Sequence, residues 1–388
     1  MQVGALVLEN TSGKILGFIG GVDYKTQQLN HATRTYRSPG STIKPILVYG
    51  PAMDKGYITP SSSVLDKRFN YNGWKPENFA KTEYGVIPAK QALAMSLNLS
   101  TIRLYSAFVG ENPVENYMEK MNFRNLTQGD KENLSAAIGG FANGISVMEN
   151  TSAFATFANM GTYKKPHIIE EIRDNNNEVI YKADTNGVQV YTKETSYMML
   201  NMLNGVLNAS YGTAKDIASG LNFSTKNLFL KTGTAEYNND LWVVGGSSNI
   251  TLGLWTGYDR PTPMNDYYYA HKEWTTVMNA IYAYNKNLVA PDKEFTRPNT
   301  VINSNINPTN NGKGSISDMV PNNFKELDNF KMLRKFGSMI DKNITFNLNP
   351  VETKKKEEDK EKEKETSQSD ATPNVDAKEE EVYEYEFE

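Results

Sequence analysis

A chain of 388 residues with 41 basic and 45 acidic side chains carries a formal charge of -4, and 39% of it is hydrophobic. Such a chain has material for about two to three domains with at least one large core, which excludes a fibrous or wholly disordered protein. The absence of cysteine removes thiolate nucleophiles, disulfides and Cys-ligated zinc, while three histidines leave little imidazole chemistry and no metal site is expected.

The chain starts directly on apolar, strand-type residues, so an upstream portion is expected; no run approaches the roughly 18 apolar residues of a membrane span. Residues 3–9 and 14–19 are β-type runs joined by Asn10-Thr11-Ser12-Gly13, a hairpin signal. Residues 41–53 have a helical pattern that stops near Gly56, 89–108 are helical on both sides of a short interruption, and 192–207 form a helix with Thr192 as N-cap. Residues 228–234, 241–246 and 251–258 read as strands, the last two as antiparallel neighbours. Helices enclosed between an N-terminal hairpin and C-terminal strands imply an α/β (α+β) domain with one antiparallel sheet formed by both chain ends.

That domain is expected over residues 1–290. Prolines and clustered asparagines then mark 291–350 as a small module or linker. Residues 351–388 hold 7 lysines and 15 acidic residues, net -8, against +4 for residues 1–350, and read as a disordered charged tail. Outside that tail no basic cluster is large enough to suggest a nucleic-acid partner.

Three short segments carry candidate chemistry. Ser41-Thr42-Ile43-Lys44 is the only Ser-x-x-Lys in the chain. At this spacing on a helix the Lys44 amine can reach the Ser41 hydroxyl, and a lysine whose pKa is lowered can take the serine proton. Alone it is weak, since an N-capping serine beside a solvated lysine looks the same.

Lys231-Thr232-Gly233-Thr234 follows an apolar run, and a strand edge bearing a lysine and two threonines makes a carboxylate site. Gly233 there would make room for a substrate backbone. An ordinary edge strand with a protective lysine is the bland alternative. Ser96-Leu97-Asn98 offers a proton-relaying hydroxyl and an amide, yet Ser247-Ser248-Asn249 repeats the pattern and a polar helix patch would explain it.

The set and its order carry more than any member. The trio, its flanks Arg37-Ser38-Pro39-Gly40, Gly85 to Ala89, Ala136 to Gly140 and Asp240-Leu241-Trp242, and Trp255-Thr256-Gly257-Tyr258-Asp259 together resemble the transpeptidase domain of class A penicillin-binding proteins across about residues 1–305. The resemblance implies a β-lactamase/transpeptidase-like fold with helices on both faces of the sheet. It implies a D,D-transpeptidase that joins peptidoglycan stem peptides on lipid-linked glycan strands through an acyl-serine and is blocked by β-lactams. Cell-wall assembly proteins would be further partners, and the place of work would be the extracytoplasmic face of the bacterial membrane.

By the same resemblance Ser41 is the nucleophile, Lys44 its base, Ser96 the relay to the leaving amine and Asn98 the contact to a substrate amide. Lys231, Thr232, Gly233 and Thr234 form the substrate-carboxylate site, the backbone N–H groups of Ser41 and Thr234 the oxyanion hole, and no cofactor is implied. The family's upstream glycosyltransferase domain and anchor have no counterpart in these residues, so polymerase activity is not expected of them. A class A β-lactamase would place a glutamate three residues before a Leu-Asn pair, and no such pair here has an acidic residue there. A carboxypeptidase and a silent penicillin-binding scaffold or sensor remain the other readings. Tyr267-Tyr268-Tyr269 with Trp274 is read as local packing in preference to a substrate groove, and the histidines as surface or packing residues.

Overall fold

The structure is a computed structural model that describes residues 1–306 and 315–324; the charged tail expected at 351–388 lies outside the described residues. Strand β1 (Gln2–Glu9) turns through Gly13, which adopts φ +78°, into β2 (Ile15–Ile19). The chain then runs through a 3-10 turn (Gly40–Thr42), a π-helical stretch (Lys44–Tyr49) and helix α1 (Gly50–Asp54). Pro45 accounts for this change of register. In a regular α-helix its ring would clash with the Ser41 carbonyl and its missing N–H would break the ladder, so the turn tightens before it and opens after it.

Next come β3 (Ser63–Asp66), β4 (Gly85–Pro88), α2 (Ala89–Ala94), α3 (Leu99–Ser106), α4 (Gln128–Glu132) and α5 (Val147–Ala158). Short strands β5 (Thr162–Lys164), β6 (Glu171–Arg173), β7 (Val179–Lys182) and β8 (Gly187–Gln189) precede α6 (Lys193–Asn208) and α7 (Lys215–Gly220). Strands β9 (Phe229–Thr234), β10 (Asp240–Gly246) and β11 (Ile250–Gly257) lead to α8 (Tyr269–Tyr284), and β12 (Val301–Ile306) pairs with β13 (Ile316–Pro321).

One five-stranded sheet organises these elements in the order β2-β1-β11-β10-β9. Every pairing in it is antiparallel, with Gln2 opposite Gly257 and Leu241 opposite Thr234. The two ends of the expected domain therefore meet at its centre, as the strand pattern implied, and β9 with the Lys231 motif forms one edge. Alternation along β10 divides the core. Trp242 and Val244 pack with Phe154 and Phe157 of α5 on one face, while Leu241 and Val243 pack with Trp274 and Met278 of α8 on the other.

Helices α5 and α8 are additions to the sequence reading. Nearly every residue of α5 is buried, so it has no polar face to reveal a helical period; its signal is the capping box between Ser146 and Glu149. Helix α8 is rich in Tyr, Thr and Val, which favour strands, yet Ala270, Trp274 and Met278 recur every four residues on its buried side. Trp274 is wholly buried and donates to the Leu252 carbonyl at 3.0 Å, in keeping with the packing reading.

Of the expected C-terminal module, residues 291–306 and 315–324 are described, and within them β12 pairs with β13. Its buried Asp318 accepts from the backbone N–H and the hydroxyl of Ser61, at 2.8 and 2.9 Å, just before β3.

Candidate active site

The segment ahead of Ser41 is tied to the sheet. Arg37 Nε donates to Asp240 Oδ1 at 2.6 Å, Trp255 Nε1 donates to the same oxygen at 2.9 Å, and the Arg37 guanidinium lies 5.3 Å over the Trp255 ring. Trp242 Nε1 donates to Ser38 O at 2.8 Å, and Ser38 Oγ to Gly139 O at 2.9 Å. The flanking residues that resembled a family signature thus have a mechanical role: they hold the start of the Ser41 turn against β10 and β11.

Two glycines let that turn reach the sheet edge. Gly40 adopts φ +50°, and a Cβ on it would lie 2.5 Å from Thr234 O. A Cβ on Gly233 would lie 2.6 Å from Pro39 O and 2.8 Å from Thr42 Cγ2. Gly233 thus has a role within the fold itself. The backbone that a Cβ there would meet is the protein's own, so the missing side chain lets the Ser41 turn seat against β9.

Lys44, Ser96, Asn98 and Lys231 converge, although up to 187 positions separate them in sequence (231 minus 44). Lys44 Nζ donates to Ser96 O at 2.6 Å, Asn98 Oδ1 at 2.7 Å and Leu97 O at 3.1 Å, and lies 3.4 Å from Ser96 Oγ. Lys231 Nζ donates to Ser96 Oγ at 2.9 Å and to Thr232 O at 2.8 Å. The Ser96 hydroxyl is therefore shared by both amines, each on a wholly buried side chain.

Half-buried Ser41 sits one turn before Lys44, and its hydroxyl makes no hydrogen bond among the described residues. The amine expected at Ser41 is thus held on the Ser96–Asn98 segment in this unliganded geometry. Catalytic contacts of this kind commonly tighten only when substrate fills the site.

Along β9 the lysine and the threonine face opposite ways, as strand alternation dictates. Lys231 turns inward to Ser96, whereas Thr232, on the opposite side of the strand, brings its hydroxyl within 2.9 Å of Thr213 Oγ1 just before α7. Thr213 was not singled out from sequence. Its partner lies 19 residues away on another element, and no local pattern marks it.

Both amines are pushed down in pKa. Burial holds Lys44 well below the usual lysine range, and the adjacent Lys231 adds to this, against an opposing pull from the Asp66 carboxylate. Burial brings Lys231 down to about 7. A group whose folded pKa lies below its unfolded value carries more protons in the unfolded chain, so stability rises with pH across the interval between the two. For Lys231 that interval runs from about 7 to 10.5. The urea midpoint should therefore climb between about pH 7 and 9, and Lys231→Met should flatten the climb by up to about 1.4 kcal/mol per pH unit. Identical slopes would mean that Lys231 keeps its proton on folding.

Ser96 adopts φ +59°, the left-handed region, which costs a residue with a Cβ roughly 1–2 kcal/mol. The turn is enforced by Ser96 N donating to Leu93 O and Leu97 N to Ala92 O, each at 3.0 Å. Comparison of Ser96→Gly with Ser96→Ala isolates this strain, because both lack the hydroxyl. The glycine variant should be more stable by about 1 kcal/mol in denaturant unfolding; equal stabilities would place the strain elsewhere.

Among the described residues no cluster of His, Asp or Glu could hold a metal ion, and no helix is long and apolar enough to cross a membrane.

Known proteins agree with this architecture. The family model for the penicillin-binding protein transpeptidase domain matches residues 3–272. Penicillin-binding protein 4 of Bacillus subtilis strain 168 is 32% identical over 262 residues, 68% of this chain and 41% of that protein. Penicillin-binding protein 1A of Aquifex aeolicus is 32% identical over 314 residues, 79% of this chain and 41% of that protein. The chain thus spans about two fifths of the length of these curated relatives.

Among solved structures, penicillin-binding protein 1A from Haemophilus influenzae aligns with a TM-score of 0.70 at 21% identity, over 84% of this chain and 54% of that one. PonA1 from Mycobacterium tuberculosis, in complex with penicillin V, aligns at 0.61 and 20%, over 76% of this chain and 80% of that one. At these identities the two structures bear on the fold. With a family match over most of the body and the sheet closed by both ends of the matched region, this chain belongs to the penicillin-binding protein transpeptidase family.

Proposed function

We propose that the chain is a serine D,D-transpeptidase that cross-links peptidoglycan stem peptides at the outer face of the bacterial membrane and is trapped by β-lactams. The observation that carries this reading is the Ser96 hydroxyl, 2.9 Å from Lys231 Nζ and 3.4 Å from Lys44 Nζ, one helical turn from Ser41. Two buried amines sharing one hydroxyl make a proton path, and burial gives the lysines the lowered basicity a proton carrier near neutral pH needs.

In this mechanism Lys44, in its neutral form, gives up one of its three acceptors and uses the freed lone pair to take the Ser41 proton as Oγ attacks the carbonyl carbon of the D-Ala-D-Ala amide. The backbone N–H groups of Ser41 and Thr234 stabilise the oxyanion. Collapse breaks the C–N bond, and the proton passes from Lys44 through Ser96 to the departing D-alanine amine. An amine of a second stem then attacks the acyl-serine by the reverse path, forming the cross-link and returning the proton to Ser41. The Thr232 and Thr234 hydroxyls hold the terminal carboxylate, with Lys231 beneath as the source of positive potential. Asn98 offers its second amide hydrogen to the substrate, the first being donated to Glu77 O at 2.8 Å.

Benzylpenicillin followed by intact mass tests this. The expected outcome is one adduct per chain that persists for hours, together with dimeric product when a D-Ala-D-Ala stem peptide is supplied with an acceptor amine. A folded protein that takes up no adduct would refute the reading, and an adduct that turns over within minutes would make the chain a β-lactamase.

A further inference from the structure

We propose that Asp66 and Asn78 form a buried positioning pair that caps helix α3 from a distance, leaving the Asn98 side chain free to serve the active site. The proposal rests on the acyl-serine reading and concerns residues to which that reading gives no task.

The first N–H groups of a helix have no partner within it, and the usual remedy is the side chain of the N-cap residue itself. Helix α3 departs from this. Its N-cap, Asn98, makes no side-chain cap, because Oδ1 accepts from Lys44 at 2.7 Å and Nδ2 donates to Glu77 O at 2.8 Å. Capping is supplied instead from 20 and 34 residues away. Asn78 Oδ1 accepts from Asn98 N at 2.7 Å and from Leu99 N at 3.2 Å, and Asp66 Oδ1 accepts from Ser100 N at 3.0 Å.

The two caps also lock each other. Asn78 Nδ2 donates to Asp66 Oδ2 at 2.6 Å and to Thr82 O at 2.8 Å, and Tyr84 N donates to the same Asp66 oxygen at 3.1 Å. Asn78 is 4% exposed and Asp66 is wholly buried. Its charge is met by N–H donors, which suits a carboxylate at a helix N-terminus. The same charge works against the burial that lowers the Lys44 pKa. The pair thus sets where the Ser96–Asn98 segment lies relative to Lys44.

Asn78→Ala, Asn78→Asp, Asp66→Asn and the swap Asp66→Asn/Asn78→Asp test this in the full chain. A cap that merely supports the fold would lower the melting temperature and leave acylation by folded protein unchanged. A positioning pair predicts that Asn78→Ala lowers the first-order acylation constant for benzylpenicillin about 10- to 100-fold, with the non-covalent dissociation constant within about two-fold of wild type. It predicts faster hydrogen exchange at the amides of Asn98, Leu99 and Ser100. The swap, which restores a donor–acceptor pair between positions 66 and 78, should recover part of the loss given by either single variant.

Unchanged acylation in folded Asn78→Ala, a loss confined to the dissociation constant, or unaltered exchange at those amides would overturn the proposal. A swap as damaging as the sum of its parts would do the same. Should Asn78→Ala fail to fold, Asp66→Asn and the swap give the same readouts. Failure of the wild type to form an adduct would strike the acyl-serine reading, while the exchange measurement would still decide the role of the pair.

Discussion

Ser41→Ala is expected to abolish the covalent benzylpenicillin adduct while leaving the fold and non-covalent binding intact. Loss of a serine nucleophile costs on the order of 10⁶ in rate, so no adduct should appear over hours at saturating drug. Ser41 is half-buried and its hydroxyl has no hydrogen bond among the described residues, so removing one oxygen leaves no buried group unsatisfied. The melting temperature should stay within about 1 °C of wild type, which corresponds to a surface-like change of about 0.5 kcal/mol. An adduct that survives on the alanine variant would move the nucleophile elsewhere, with Ser96 the first candidate to map by peptide digestion.

Lys44→Met separates chemistry from architecture. Methionine keeps much of the length and apolar surface of the lysine and removes the amine, so the acylation constant should fall about 10²- to 10⁴-fold, the range for loss of a general base. Stability is a contest. Ser96 O and Asn98 Oδ1 lose their Lys44 donor, at about 1–3 kcal/mol for each acceptor left buried and dry, while Leu97 O keeps the Thr101 hydroxyl at 2.6 Å. Against this, the native state no longer desolvates an amine that the unfolded chain keeps protonated. The two terms oppose each other, and the variant should fold. A variant that folds and acylates at the wild-type rate would remove Lys44 from the mechanism.

Much of the body was legible because its signals are local. The 3–9 and 14–19 runs became β1 and β2, the short interruption within 89–108 separates α2 from α3, and Thr192 caps α6 by accepting from Thr195 N. Helices α5 and α8 escaped notice because burial on all sides erases amphipathic period in the one, and strand-favouring side chains mask it in the other.

The site divides in the same way. Spacing within each motif was enough to nominate Ser41 with Lys44, Ser96 with Asn98, and Lys231 with its threonines, since each pair lies within a turn or along one strand. What they do to one another is not local. That both amines meet at the Ser96 hydroxyl, that Gly233 admits the Ser41 turn, and that Thr213 joins Thr232 depend on contacts spanning 19 to nearly 200 residues. Asp66 and Asn78 show the limit most sharply. An aspartate at a strand end and an asparagine in a loop are unremarkable in a sequence, and only the fold brings them to the uncapped N–H groups of a helix whose own cap is engaged elsewhere. Short-range spacing reports the backbone's period. The partners of a buried polar group follow from which distant elements the core packs together.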